Sequence, residues 1–303
     1  MPRLTNGPRC QKEWNKFSIV MKRIIKFSAA LGIWMVSSSA LTAGDITKNL
    51  NISSFSGIES SASCEIVLED SSEFTAKVTC DEKFQDYVEV YAKNNLLHIE
   101  MNTASMPADL KKIWKTKDTR EPQFKVVLGI PYATSIELGG DSRLTSNIKK
   151  LSCKFFSLSL SGRAKATGLN LDAQKVSVSA SGNSVSGISS AGDSLFVNTS
   201  GTAVVNIRTS SMNSAITASR NSSVTLSGSS QWLGLSCGGA CAVNSLELES
   251  SMTNVKLEGG ATASIQSTGK VSVDLKGSRL FFKGPGVFEI LKVTNSSIEP
   301  ADE

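Results

Sequence analysis

Val176-Ser177-Val178-Ser179-Ala180-Ser181-Gly182 alternates apolar and hydroxyl side chains and stops at a glycine; similar runs precede it at Phe156–Gly162 and follow it at Leu195–Gly201. Alternation of period two puts every second side chain on one face of a strand, so one face is buried and the other meets water. The run is one of a series. With Gly140, Gly162, Gly182, Gly201, Arg220, Gly239, Gly259 and Gly277 as equivalent points, the spacings are 22, 20, 19, 19, 19, 20 and 18 residues. Four residues before these points lie Ile136, Leu158, Val178, Val197, Ile216, Leu235, Val255 and Val273, apolar without exception. Four residues after them lie Leu144, Ala166, Val205, Val224, Val243, Ala263 and Phe281, with Ser186 as the polar exception.

Each repeat therefore supplies at least two inward-facing strands joined by a bend, where a residue without Cβ is accommodated most easily. One such unit cannot bury its own core, whereas stacked units can, each strand bonding in parallel to the coil above and below. This predicts an all-β solenoid over residues 131–303: about eight coils of 18–22 residues, on the order of 40 Å long at ~4.8 Å per coil. A β-propeller blade needs about 40 residues, twice the repeat seen here. The tail from Leu291 to Glu303 is expected to cap the far end.

Residues 44–130 read as a small antiparallel β region, with strands at Tyr87–Tyr91, Leu96–Glu100 and Phe124–Leu128 and a turn at Asn94-Asn95. The segment 101–123 is an inserted basic loop with room for one helical turn; Lys111, Lys112, Lys115 and Lys117 surround Trp114 and form a candidate contact surface for anionic glycans or lipid headgroups. Its plain alternative is a solvated loop. Glu65–Leu68 and Phe74–Val78 are expected to form a hairpin, with Ile66 opposite Val78 and Cys64 opposite Cys80.

Residues 1–43 carry a leader that is set aside before the fold is considered. Lys22, Arg23 and Lys26 precede the apolar stretch Phe27–Val36, and small residues follow up to Ala43. Cleavage is expected after Ala43 or Ala40, and Met21 is an alternative start. A membrane anchor would need about 20 apolar residues, more than this stretch offers. Removing the leader takes away seven basic residues and Glu13, leaving 25 bases against 26 acids, so the net charge of +5 for the whole chain gives no reason to expect nucleic-acid binding. Export makes disulfides reasonable. Cys64 with Cys80 and Cys237 with Cys241, the latter across Gly238-Gly239, are the candidate pairs; Cys153 is left over, and five free buried thiols are the other reading.

Little in the chain points to catalysis. His98 is the only histidine, sits in a strand beside Glu100, and is not accompanied by a nucleophile elbow. Asp172 and Asp193 fall ten and eleven residues past consecutive repeat points, where they would stack about 5 Å apart, near the separation of a retaining glycosidase pair; solvated corner aspartates would have the same spacing. No cofactor or metal is expected. Outward rows such as Ser157/Ser177 and Ser159/Ser179 form a polar ladder able to hold an extended polysaccharide or a protein.

These features resemble the putative auto-transporter adhesin head GIN domain family of bacteria over nearly all of the chain after its leader. The resemblance rests on Phe55-Ser56-Gly57-Ile58 leading to the Glu65–Leu68 strand, on Leu96–Ile99, on the strand-Ser-Gly phrases ending at Gly162, Gly182 and Gly201, and on Leu280-Phe281-Phe282-Lys283-Gly284-Pro285. Family members carry Gly-Asn-Pro at that closing turn, and this chain lacks the Asn. The resemblance implies a single-stranded right-handed β-helix, an envelope location and an adhesin-like role, with no catalytic residues to carry over. The expected function is thus a non-catalytic binding or structural module of the periplasm, outer membrane or surface of a Gram-negative cell. Its expected partner is a glycan or cell-surface protein, and self-association is left open. The alternative is a polysaccharide lyase or glycoside hydrolase built on a β-helix.

Overall fold

A computed structural model describes residues 44–117 and 121–301. The leader, its cleavage site and Met21 lie outside the described residues. The chain begins with strands β1 (Asp45–Leu50), β2 (Gly57–Ser60), β3 (Cys64–Asp70), β4 (Thr75–Asp81), β5 (Val88–Lys93) and β6 (Leu96–Met101), followed by helix α1 (Ala108–Thr116). Next come β7 (Phe124–Ile130), β8 (Ser135–Leu138) and β9 (Arg143–Ser146). Long strands follow: β10 (Leu151–Leu160), β11 (Lys165–Ala180), β12 (Val185–Thr199), β13 (Val204–Arg220), β14 (Ser223–Gly239), β15 (Ala242–Glu258) and β16 (Thr262–Lys276). β17 (Arg279–Lys283), β18 (Val287–Thr294) and β19 (Ser297–Pro300) finish the described chain.

The fold is an all-β solenoid. From β10 to β16 each strand pairs in parallel with the next. The predicted column is continuous: Ile136, Leu158, Val178, Val197, Ile216, Leu235, Val255 and Val273 are successive register partners, all buried. A second column runs through Leu144, Ala166, Ser186, Val205, Val224, Val243 and Ala263. Its next member is Leu280, not Phe281, because the corner at Gly277 is one residue shorter than the Gly259-Gly260 corner before it. Ser186 takes its place in this column with its hydroxyl buried and unbonded.

Every one of the eight repeat points has a positive φ, from 58° at Gly140 to 87° at Gly239, and Arg220 adopts 62° in the same series. The corners stack on one another. A Cβ added to Gly182 would lie 2.7 Å from the carbonyl oxygen of Gly162, and one added to Gly201 would lie 2.9 Å from that of Gly182. At Gly182 and Gly201 conformation and close approach together favour glycine. The same carbonyls accept axial hydrogen bonds, Asn183 N to Gly162 O at 2.7 Å and Thr202 N to Gly182 O at 2.8 Å.

The parallel stack also takes in strands on the N-terminal side of residue 131. β2 lies between β6 and β8, so Leu97, Ile58 and Ile136 continue the first column; β3 lies between β7 and β9, so Val126, Ile66 and Leu144 continue the second. Antiparallel pairing, expected throughout this region, is confined to β1–β4, β4–β7 and β5–β6. The expected hairpin between β3 and β4 is overturned: β7 inserts between them, with Val126 opposite both Ile66 and Val78. The physical reason is that β3 closes a coil, and its edge is worth more to the parallel stack than to a local turn. The basic segment contains a nine-residue helix, more than the single turn expected. At the other end, the tail extends the stack: Ile290 pairs with Val273 and Ile298 with Leu280. Val287, Ile290, Leu291 and Val293 are left exposed, so the tail forms a further coil instead of a lid.

Candidate binding face

The residues singled out for chemistry are not brought together. His98 is half-buried on β6, its Nδ1 3.4 Å from Glu59 Oε2 and 3.8 Å from Glu100 Oε1, and its ring stacks on Tyr91. Asp172 pairs in register with Ala191, and Asp193 falls beyond it at the corner, so the two carboxylates do not stack. The pair is two residues out of register: Asp193 lies one position further past its repeat point than Asp172 does, and the pairing shifts by one more at the bulge between Thr167 and Leu169. Asp172 is held by Lys150, 2.5 Å away. Among the described residues, no three His, Cys, Asp or Glu side chains gather in a way that would hold a metal. No described helix is long and apolar enough to cross a membrane.

The five described cysteines are thiols. Cys64 and Cys80 both face Phe124, on opposite edges of β7, so about two strand spacings, ~9.5 Å, separate them. Disulfides rarely exceed about 7 Å between Cα atoms, and the expected Cys64–Cys80 pair is therefore corrected. Cys64 instead bonds Ser60 across a corner, Oγ to Sγ 3.4 Å, and burial pushes its thiol up to about 12. Cys237 and Cys241 do meet. The interaction between the two thiols raises Cys237 and lowers Cys241, the first of the two to lose its proton, and Cys241 Sγ donates to the Ala218 carbonyl at 3.5 Å.

The basic segment divides into two sides. Trp114 turns inward, its ring 5.0 Å from that of buried Phe84; Lys117 Nζ lies over Phe84 at 4.6 Å and 3.6 Å from Asp81. Lys111 Nζ donates to the carbonyl of Ala104. Lys112 and Lys115 point to water, with Ile113 between them in sequence.

The predicted serine ladders are in register, Ser157 beside Ser177 and Ser159 beside Ser179. Continued along the solenoid they change character, which the sequence reading missed. The outward column beginning at Ser157 and Ser177 goes on through Phe196, Ala215, Gly234 and Asn254, and the one beginning at Ser159 and Ser179 through Asn198, Thr217, Ser236 and Lys256. A third column, one step further out along each strand, runs Phe155, Lys175, Ser194, Asn213, Trp232, Met252. Trp232 lies along the sheet: a Cβ added to Gly234 would run into its Cη2 and lie 3.0 Å from its Cζ2 and Cζ3. A shallow groove of about 360 Å³ lined by Ala215, Thr217, Trp232, Gly234, Ser236 and Asn254 follows this face. The signal was available: Phe155, Phe196 and Trp232 occupy outward positions of repeats whose other outward residues are polar.

A family model described as "Putative auto-transporter adhesin, head GIN domain" matches residues 54–215. The chain belongs to this family. Among solved structures, this GIN-domain protein is similar to a putative adhesin from Parabacteroides merdae, with TM-score 0.61 and 13% identity over 86% of this chain and 98% of that one. It is also similar to a putative adhesin from Parabacteroides distasonis, with TM-score 0.58 and 16% identity over 85% and 97% of the two chains. A structure from the same species titled as a putative lipid binding protein gives TM-score 0.51 and 11% identity over 86% and 98%. At these identities the likeness establishes the GIN-domain solenoid alone. No curated protein matches the sequence.

Proposed function

We propose that this protein is an exported envelope module that binds through the outward face of its solenoid and catalyses no reaction. The observation that carries the reading is the set of unbroken outward columns, in which hydroxyl, amide and aromatic side chains recur at the coil spacing along one rigid rod. Such a surface makes many weak, evenly spaced contacts, which suits an extended partner more than a small molecule. Membership of an adhesin-head family supports the same reading, as do the names of the solved relatives. The leader supports export. The enzymatic alternative loses its one candidate pair, since Asp172 and Asp193 are out of register.

The test has two arms. Expression of the native gene with a C-terminal tag, followed by fractionation and protease treatment of whole cells, is expected to place the protein in the envelope; recovery of full-length, uncleaved chain in the cytoplasm would contradict export. A glycan array run beside a reducing-sugar release assay is expected to give binding without turnover. Turnover lost on Asp172→Asn would instead establish a hydrolase.

A further inference from the structure

Aromatic rings on the outward face of a parallel solenoid inherit the coil spacing. Phe196 is separated from Gly234 by a single column position, Ala215, and the ring of Trp232 lies over Gly234. The two rings therefore sit two coils apart on one line, roughly 10 Å along the axis. Between them lies the small side chain of Ala215, which leaves the groove floor open. Beside that line the side chains of Asn198, Thr217, Ser236 and Asn254 make no hydrogen bond to any described residue. Ordinary solvated serines and threonines need no such partners, but a tryptophan ring laid along a sheet, with a second exposed aromatic on the same line and free hydroxyls and amides on the flank, forms a more specific arrangement.

We propose that this face is a platform for an extended, β-linked, uncharged polysaccharide running parallel to the solenoid axis. The inference rests on the binding role proposed above and names its site and ligand class. A pyranose presents an apolar face of axial C–H bonds and an equatorial rim of hydroxyls, so it stacks on an aromatic ring while its rim seeks donors and acceptors. In an extended β-linked chain, one sugar advances by about one coil spacing. A sugar on Phe196 therefore places the next over Ala215 and the third on Trp232, with rims along Asn198, Thr217 and Ser236. The charge of the surroundings favours a neutral chain: Lys256 is 3.6 Å from Glu258, and Lys270 is 2.8 Å from Glu289. Lys175 Nζ lies over the Phe196 ring, 4.8 Å from its centroid, so its long side chain swings off that face when a sugar stacks there and donates to a sugar hydroxyl from the side.

The experiment is titration calorimetry of the full chain with cellohexaose, chitohexaose and xylohexaose, with maltohexaose as the coiled α-linked comparison, followed by a length series of the best ligand. At least one β-linked hexaose is expected to bind, and affinity is expected to rise at least about tenfold between the disaccharide and the trisaccharide, where the second ring is first reached. Trp232→Ala and Ala215→Arg, the latter filling the gap while keeping both rings, are each expected to weaken binding at least about tenfold. Circular dichroism melting of both variants guards against misfolding. Ligand quenching of tryptophan fluorescence is expected to survive Trp114→Phe and to vanish in Trp232→Phe. Binding by none of the three β-linked hexaoses, or binding indifferent to both Trp232→Ala and Ala215→Arg, overturns the proposal. If an array ligand binds independently of Trp232, the platform fails while the binding role stands; if no array ligand binds either, both fail. Cell attachment that needs Trp232 without any oligosaccharide binding assigns the face to a protein partner and also overturns it.

Discussion

The middle coils and the N-terminal coils share one core column but reach it by different routes. Between Ile136 and Val273, residues about one repeat apart in sequence are neighbours in space, so the chain climbs the column in order. On the other side of Ile136 the order along the column is Ile58 and then Leu97, because the chain passes through β2, travels outward to β6 and returns through β7 to β8. The corner between β6 and β7 is expanded into the segment that holds α1, where the middle coils use a few residues around a glycine. The same inward pattern is thus compatible with very different connections. What a coil needs is an apolar side chain at the column, not a fixed path to it.

The largest expected effect contrasts positions along that column. Ile216→Ala, in the middle, is expected to cost about 2–5 kcal/mol in chemical denaturation, and Leu97→Ala, fully buried beneath the N-terminal strands, should fall in the same range. Ile290→Ala, on the same column but 62% exposed, is expected to stay within about 0.5 kcal/mol. Equal losses at Ile216 and Ile290 would mean that the tail is covered in solution.

Next in size are the corners. Gly182→Ala meets both a positive φ and the carbonyl of Gly162, whereas Gly277→Ala meets the φ alone, with nothing within 4 Å. The first is expected to lose more stability than the second, whose cost is about 1 kcal/mol. Arg220→Gly reverses the sign, gaining about 1 kcal/mol by releasing the one non-glycine corner of the series from its strained φ. Differential scanning calorimetry reads all three.

A smaller gain is expected from Ser186→Ala. It removes a buried hydroxyl without a partner from a column of aliphatic neighbours and should add about 1 kcal/mol. Ser222→Ala, whose hydroxyl accepts from Thr199 and donates to the Ser219 carbonyl, should lose stability instead.

The smallest effect is chemical. Mild oxidation followed by peptide mapping is expected to yield a Cys237–Cys241 bond and never a Cys64–Cys80 bond. In native protein at pH 8, half-exposed Cys153 should be alkylated before Cys64, whose buried thiol resists ionisation. A Cys64–Cys80 crosslink would show that β7 leaves its place between β3 and β4.

Legibility in the sequence follows the same divide. Where the chain climbs in order, spacing and alternation sufficed to place Ile136 through Val273 on one line. One further coil was readable but hidden: Ile58, Ser60, Cys64 and Ile66 flank Ala62 as Ile136, Leu138, Ser142 and Leu144 flank Gly140, and Ser142 Oγ donates to Ser60 Oγ across the two corners. It was missed because β4, β5 and β6 intervene before the next repeat and break the spacing, and because Ala62 replaces the marker glycine. The local alternation of Glu65–Leu68 and Phe74–Val78 suited a hairpin equally well, and nothing in either strand reveals that β7 comes between them. On the outward face, the serine rows were visible, but their meaning lay in where they gave way to Phe196 and Trp232, which register alone brings into line.

The stacked corners have a consequence for how such a rod changes length. Because Gly201 and Arg220 occupy equivalent bends, excising residues 202–220 joins two matching points and removes one storey without altering the strands above or below. Duplicating the same segment inserts one. Either edit would shift Phe196 relative to Trp232 by about one coil rise, so the ruler that spaces the aromatic rings can be reset in whole steps.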